Sequence, residues 1–413
     1  MQNAVKRELP SVRLLTFRQL LQETLDEYRE DESKVRDIVM RCFHKWDRPR
    51  VEKLIGGNWS DVTAAQIIGS DSPPLIKEGD DFKVGIRPTP WVQNISEEGW
   101  MTDQGWVYCN KKTWWRSRED EITHAIVENH PEFIENVNVL LDLKLPAYME
   151  GGDLRAPSED TIAGGVGWHT NLEAMRQISE ALPEKTVYAV QKADISQEDF
   201  TDEVYDFGWH FETFHCEVDK GKGLFLPYMN DYPKGGRKKF IEWLKALKRD
   251  IEEWHPLLRK LREKEIEVSP EEKKRIKGNA LKDLTDEKIA TLQDVGKVYT
   301  FKKGKLVSKR DSYLQALIDD GVMDEDGIIW YGGDPDWFEN PLEHLTSLAG
   351  AFAAKAEIAE CLSPGVVLVF EEAENTIKSL EEHGCRAVTY SAFYQRKTGG
   401  PGPDCSFCPL HRE

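Results

Sequence analysis

From about residue 83 the chain alternates short apolar runs with Gly and Asp turns and with amphipathic stretches of helical spacing. The runs are 106–109, 161–166, 186–190, 223–228, 366–370 and 387–390. Apolar runs this short, bounded by turn residues, read as strands. Strands separated by helices or turns predict a mixed α/β or α+β architecture. The first 70 residues carry a different period. Val35, Ile38, Val39 and Cys42 recur at helical spacing, as do Leu20, Leu21, Thr24 and Leu25. That spacing predicts helices, and Gly56-Gly57 and Asp71-Ser72-Pro73-Pro74 punctuate their end.

With 413 residues the chain is long enough for a sizeable core or for two to three domains. It carries 55 Lys/Arg against 74 Asp/Glu, a net charge of −19. Such a balance argues against nucleic acid or an anionic membrane as partner, because phosphates attract basic surfaces. It suits a small cationic ligand, and it also serves plain solubility. No run approaches the roughly 20 apolar residues of a spanning helix, and the first 15 residues lack an apolar signal segment. Seven scattered cysteines fit a reducing compartment better than a disulfide framework, so the cytoplasm is expected.

One segment stands apart. Phe240, Leu244, Leu247, Ile251, Trp254, Leu258 and Leu261 form an apolar helical stripe, with Pro256 as a kink or break. Residues 234–275 hold 14 Lys/Arg and 9 Asp/Glu, net +5 in an acidic chain. The stripe reads either as a lid or docking helix pair, or as a helix that buries one face and solvates the other. No internal repeat is visible in the sequence, though a repeat can persist in structure after its sequence signal is gone.

Four clusters carry acid, base or thiol at turns or strand ends. They are Met101-Thr102-Asp103-Gln104-Gly105 with Arg116-Ser117-Arg118-Glu119, then Glu150-Gly151-Gly152-Asp153, then His215-Cys216-Glu217-Val218-Asp219, and last the glycine-rich loop ending in Cys405-Ser406-Phe407-Cys408-Pro409. If 215–219 is a strand, period 2 puts His215, Glu217 and Asp219 on one face. An imidazole beside a carboxylate is a general acid/base arrangement; a surface charge ladder has the same pattern. Glu150 and Asp153 flank a glycine pair that is also an ordinary tight turn, and Gly332-Gly333-Asp334 repeats the theme. The Cys-x-x-Cys pair admits a redox dithiol, a zinc site, or a single nucleophilic cysteine in a loop whose glycines let the backbone approach a ligand. A thioredoxin-like context and further clustered ligands are missing, which favours the nucleophile.

Taken in order, these clusters resemble the arginine deiminase family, within the superfamily of guanidino-group-modifying enzymes. Trp100-Met101-Thr102-Asp103 stands for the family's Phe-Thr-Arg-Asp, and Arg116-Ser117-Arg118-Glu119 for Arg-x-Arg-Glu, followed by a similar stretch to Asn129-His130-Pro131. Glu150 to Asp153 match Glu-Gly-Gly-Asp, and Gly165 to Thr170 stand for Gly-x-x-Glu-Arg-Thr. His215-Cys216-Glu217 stands for His-x-Asp, Pro364 to Val367 match Pro-Gly-Val-Val, and Cys405 to Leu410 match the closing Cys-x-x-Cys/Met-Pro-Leu. The resemblance covers most of the chain outside roughly 230–335.

The resemblance implies an α/β (α+β) fold, a five-bladed αβ propeller of the pentein type with helical insertions. The expected divisions are an N-terminal helical region at 1–80, a first propeller part at 81–232, a helical insertion at 233–330, and a C-terminal propeller part with the closing Cys loop at 331–413. It implies that Cys405 attacks the guanidinium carbon, ammonia leaves, and water hydrolyses the covalent intermediate, with no metal or organic cofactor. Asp103 and Glu217 would clamp the guanidinium, and His215 would move protons with Glu150 orienting. Arg116 would bind the α-carboxylate, and Asp153, His169 and Gly400 would complete the substrate side. The partner is then a small cationic guanidino compound, neither nucleic acid nor membrane, and a homo-oligomer is allowed.

The same residues would also serve an amidinotransferase, or a divergent non-catalytic guanidino-binding protein. Four departures bear on the substrate. His169 stands where the family has an arginine, and Glu217 is one methylene longer than the family aspartate. Asp404 adds a negative charge beside Cys405. The sequence also begins well into the family pattern and carries extra residues around 230–335.

Overall fold

The computed structural model describes residues 2–68, 75–78, 81–84, 98–112, 116–192, 210–227, 235–249, 292–338, 359–371 and 373–391, with 269, 270, 290 and 344 besides. They fall into two compact units, one built from the described residues of 1–10 and 152–404, the other from those of 11–151.

The smaller unit begins with the helices its sequence period predicts. The first helix of the chain, α1 (Gln2–Glu8), belongs to the larger unit; the smaller unit starts at α2 (Phe17–Glu27) and α3 (Glu32–Arg41). Thr16 and Gln19 close a capping box on α2, and the Asp31 side chain accepts from the Lys34 N–H to start α3. Leu20, Leu21, Thr24 and Leu25 are buried on α2, and Val35, Ile38 and Val39 on α3. Burying each such aliphatic side chain contributes roughly 1.5–3 kcal/mol. Helix α4 (Arg48–Ile55) ends at Gly56, whose φ of +66° is a left-handed cap that glycine adopts without strain. After α5 (Ala64–Ile68) comes an antiparallel pair, β1 (Leu75–Glu78) and β2 (Asp81–Val84). Then β3 (Gly99–Met101) and β4 (Trp106–Tyr108) form a hairpin. Helices α6 (Ser117–Asn129) and α7 (Pro131–Asn136) cross over to β5 (Val139–Asp142), which lies parallel to β4.

The larger unit repeats that module three times. The first copy is the hairpin β6 (Leu154–Ser158) and β7 (Thr161–Val166), helix α8 (Leu172–Ala181), and β8 (Thr186–Gln191) parallel to β7. The second is β9 (His215–Asp219) and β10 (Lys222–Phe225), followed much later in sequence by a parallel third strand at Ile328–Trp330. Between them lie α9 (Gly236–Arg249), the hairpin β11 (Val298–Lys302) and β12 (Lys305–Arg310), and α10 (Tyr313–Asp319); the Ile328–Trp330 strand is β13. The last is β14 (Glu360–Ser363) and β15 (Val366–Phe370), helix α11 (Glu374–Glu382), and β16 (Arg386–Tyr390) parallel to β15. A hairpin needs only a turn, but a parallel third strand needs a crossover, which is why a helix recurs at the same place. Among the described residues there are thus four copies of one hairpin–helix–strand module, in sheets of two, three, three, three and five strands, none of which closes on itself.

The stretch expected to be a helical insertion, 233–330, contributes strands as well. Antiparallel pairing of β11 with β8 extends the β6–β8 sheet to five strands, and β13 completes the module begun by β9 and β10. Of the apolar stripe, α9 carries the first part; the positions from Ile251 to Leu261 lie outside the described residues. Each unit has its own core, Tyr188, Val190, Phe214, Phe225 and Tyr313 in the larger, Leu21, Ile38, Val39, Ile122 and Ile126 in the smaller. The five described cysteines are unpaired. No helix among the described residues is long and apolar enough to cross a membrane.

Candidate active site

In the larger unit the 215–219 strand forms where the alternation predicts it, as β9. Cys216 and Val218 enter the core, which leaves His215, Glu217 and Asp219 on the other face. His215 is nonetheless buried, at 1% exposure. Its cross-strand partner on β10 is Phe225, and the two rings stack with centroids 4.3 Å apart and planes 9° apart. The Tyr313 hydroxyl lies 2.9 Å from Nδ1. Nε2 has no hydrogen-bond partner among the described residues. Burial, and then the charge of Arg155, push the imidazole well below its ordinary pKa, so the resting ring is neutral.

Gly223 is what leaves room at Nε2. A Cβ there would stand 2.8 Å from Nε2 and 2.6 Å from a ring carbon of Phe225. Both rings are held on several sides and cannot swing away. Gly223→Ala is therefore expected to destabilise the fold by about 1–3 kcal/mol, read as a lower urea midpoint. An unchanged midpoint means the rings shift freely and the close approach is not a constraint.

Arg155 on β6, which sequence reasoning passed over, organises the neighbourhood. Its Nε donates to the His215 carbonyl at 3.1 Å and stands 3.9 Å from Glu217 Oε2, while Nη2 is 3.7 Å from Glu212 Oε2. Glu217 Oε1 is 4.0 Å from His215 Nδ1, too far for a hydrogen bond. So His215 and Glu217 share a face as expected, but the nitrogen nearest the carboxylate is held by a phenol hydroxyl.

Asp153, expected at the substrate, is fully buried and has internal partners on both oxygens. Oδ1 accepts from the Phe211 N–H at 2.9 Å and pairs with Lys192, and Oδ2 accepts from the Thr170 hydroxyl at 2.6 Å. His169 is also buried and packs edge-on to His210, with ring centroids 4.9 Å apart.

In the smaller unit Arg116 stands at the start of α6 and is 1% exposed. Its Nε donates to Glu119 at 3.0 Å and its Nη1 to Glu150 at 2.6 Å. Lys111 lies beside it and donates to Glu98 at 2.7 Å and to Asp120 at 2.8 Å. Four carboxylates thus gather around two cations. Burial pushes Glu98 well above the carboxylate range, which Lys111 only partly opposes. Burial alone would lower Lys111, but Asp120 and Glu98 outweigh it and hold the ammonium charged. The other arginine of the motif, Arg118, has a different task. It donates to the Cys42 carbonyl at 3.2 Å and lies 4.2 Å from the Phe43 ring centroid, tying α6 to the N-terminal helices. Asp103 sits exposed in the β3–β4 turn, where the Thr102 hydroxyl bonds the Gly105 carbonyl at 2.8 Å. Cys405 and Gly400 lie outside the described residues.

The structure therefore brings His215, Glu217 and Arg155 together in one unit, and Arg116 and Glu150 in the other. Arg155 follows the Glu-Gly-Gly-Asp cluster by two residues and was within reach of a sequence reading. Tyr313 and Lys192 gave no local signal. A neutral buried histidine has a consequence for stability. Below about pH 6.5 the unfolded chain takes up a proton that folded His215 refuses, so stability falls as pH drops, by up to ~1.4 kcal/mol per pH unit. His215→Gln is expected to flatten this slope in urea midpoints measured from pH 7 to 5. An equal slope in both proteins means His215 is protonated in the folded state.

Residues 77–199 match the family described as arginine deiminase. An arginine deiminase of Limosilactobacillus fermentum is 30% identical over 136 residues, 32% of either chain. The match thus spans about a third of that relative's length. Among solved structures, the N-terminal domain of ArgZ, an arginine dihydrolase of the cyanobacterial ornithine–ammonia cycle, is similar at 12% identity and a TM-score of 0.41 over 78% of each chain. AgrE, solved with L-arginine, is similar at 12% identity and a TM-score of 0.43, over 78% of this chain and 31% of its own. SxtG, an amidinotransferase of Microseira wollei, is similar at 11% identity and 0.43, over 82% of this chain and 74% of its own.

Proposed function

We propose that this chain, whose residues 77–199 match the arginine deiminase family, is a cysteine-dependent enzyme of guanidino compounds that hydrolyses arginine to citrulline and ammonia. The observation that carries this reading is the buried, neutral His215, whose Nε2 has no partner among the described residues, on one strand face with Glu217. A resting neutral imidazole is the form a proton relay needs.

In this reading His215 takes the proton of the Cys405 thiol, and the thiolate sulfur bonds to the guanidinium carbon. The adduct collapses by breaking one C–N bond, and ammonia leaves with the proton from His215. Water then attacks the same carbon while His215 accepts its proton. The C–S bond breaks, the adduct's hydroxyl gives its proton to solvent to become the citrulline carbonyl, and His215 returns its proton to the departing thiolate, which restores the thiol and the neutral imidazole. Asp103 and Glu217 hold the guanidinium N–H groups, and Glu150 orients the proton relay. The four hairpin–helix–strand modules support a place for this chemistry on a five-bladed αβ propeller, and unpaired cysteines support the cytoplasm.

Incubation with arginine is expected to yield equimolar ammonia and citrulline, and intact mass to reveal an adduct on Cys405. Added glycine is expected to leave citrulline yield unchanged. Transfer of the amidino group to glycine would instead make the enzyme an amidinotransferase. No turnover and no adduct with any guanidino compound would leave a binding protein.

A further inference from the structure

Two features of His215 are left unexplained by its expected neighbours. Its Nδ1 is held by a residue of α10, within the β10–β13 crossover, and its Nε2 is buried without a partner among the described residues. A buried polar atom without a partner is destabilising, so one that persists in a native structure calls for an explanation, of which a catalytic role is one. We propose that Tyr313 is a positioning residue for His215: its hydroxyl holds Nδ1, fixes the ring, and reserves Nε2 as the nitrogen that exchanges protons with the substrate. The role in turnover rests on the function proposed above; the pairing itself does not.

The geometry is specific. Phe225 stacks on one face of the imidazole at 4.3 Å, and Phe211 meets it edge-on at 6.3 Å. A half-turn of the ring about Cβ–Cγ would exchange Nδ1 with Cδ2 and present a carbon to Tyr313, so the Oη–Nδ1 bond at 2.9 Å selects the observed orientation. Burial pushes the Tyr313 hydroxyl well above its ordinary pKa, so it remains a neutral hydroxyl that can donate or accept. The carboxylate in the vicinity, Glu217, is 4.0 Å from Nδ1 and cannot replace it. A neutral hydroxyl that accepts from Nδ1–H keeps the proton on Nδ1 and leaves Nε2 as the acceptor, without the negative charge that an ionised carboxylate at Nδ1 would add. Gly223 completes the arrangement by leaving the Nε2 side free of a Cβ.

Tyr188 supplies a control. Its ring packs edge-on to Tyr313 at 6.3 Å, but its hydroxyl bonds Asp320 and not His215. The test is the pair of ring-nitrogen shifts of His215 in [15N]histidine-labelled protein, assigned by their loss in His215→Gln. In the wild type the two nitrogens are expected well separated, as in a single tautomer. Tyr313→Phe is expected to bring them toward an average, to lower kcat roughly fivefold to tenfold, and to leave KM near its original value. Tyr188→Phe is expected to change neither. The proposal is overturned if Tyr313→Phe keeps the separation, or if Tyr188→Phe reduces it equally. Averaged shifts in the wild type overturn it without any variant, should Tyr313→Phe fail to fold. If the nitrogens behave as stated but the wild type turns over no guanidino compound, the functional reading fails and the positioning by Tyr313 stands.

Discussion

Cys405→Ala is expected to abolish turnover of arginine, by on the order of a thousandfold or more, with the circular dichroism spectrum and melting temperature of the wild type. A nucleophile forms the bond on which every later step depends, and neither the remaining carboxylates nor His215 can stand in for its sulfur. Cys408→Ala is expected to keep most of the activity, because Cys405 is the first cysteine of the closing motif and Cys408 fills a position where relatives also carry Met. Intact mass after mixing with arginine separates the steps: the adduct should form in the Cys408 variant and be absent in the Cys405 variant. Activity lost only in the Cys408 variant would move the nucleophile, and activity lost equally in both would restore the dithiol reading. Full activity in both would end the covalent mechanism.

Strands that are continuous apolar runs were legible: β7, β15 and β8 fall within a residue of the runs at 161–166, 366–370 and 186–190. So were α2 and α3, whose buried faces are the residues spaced by three and four. The hairpin β11–β12 was not, because five of the six β12 residues are exposed and its sequence, rich in lysine, is that of a solvated edge. Strands β3 and β13 are three residues long, too short to show a period. The fourfold module left no sequence repeat because its copies share pairing and not side chains. The crossover from β7 to β8 holds one helix, whereas that from β10 to β13 holds about a hundred residues and a hairpin that joins another sheet. Within the site, period 2 put His215 and Glu217 on one face. It could not find Tyr313, 98 residues away, since that contact is made by packing alone. Residue types were legible and partners were not: Arg116 and Asp153 read as ligands of a substrate, and both turn out to be engaged with internal partners.

Arg116→Leu is expected to destabilise the smaller unit by about 3–5 kcal/mol, whereas Glu98→Gln is expected to be within about 1 kcal/mol of neutral or stabilising. Both residues are buried in the same charged group, so burial alone would predict similar effects. Charge balance separates them. Removing Arg116 strips Glu119 and Glu150 of the guanidinium at 3.0 and 2.6 Å and leaves four carboxylates to Lys111. Removing the charge of Glu98 reduces an existing excess of negative charge, and the glutamine carbonyl can still accept from Lys111. The sign of the pH dependence follows. A carboxyl whose folded pKa is raised favours the folded state below its unfolded pKa of about 4.3, and that contribution is lost as pH rises toward the folded value. The advantage of Glu98→Gln over the wild type should therefore grow between pH 5 and 8, in urea midpoints taken at each pH. The comparison also decides what Arg116 is for. If Arg116→Leu costs no more than Glu98→Gln, the guanidinium is not needed to neutralise Glu119 and Glu150, and it is free to serve a substrate α-carboxylate. If the large loss appears, Arg116 is bound to its internal carboxylates in the ligand-free protein. A substrate carboxylate must then displace Glu150 to reach it, or be recognised by other residues.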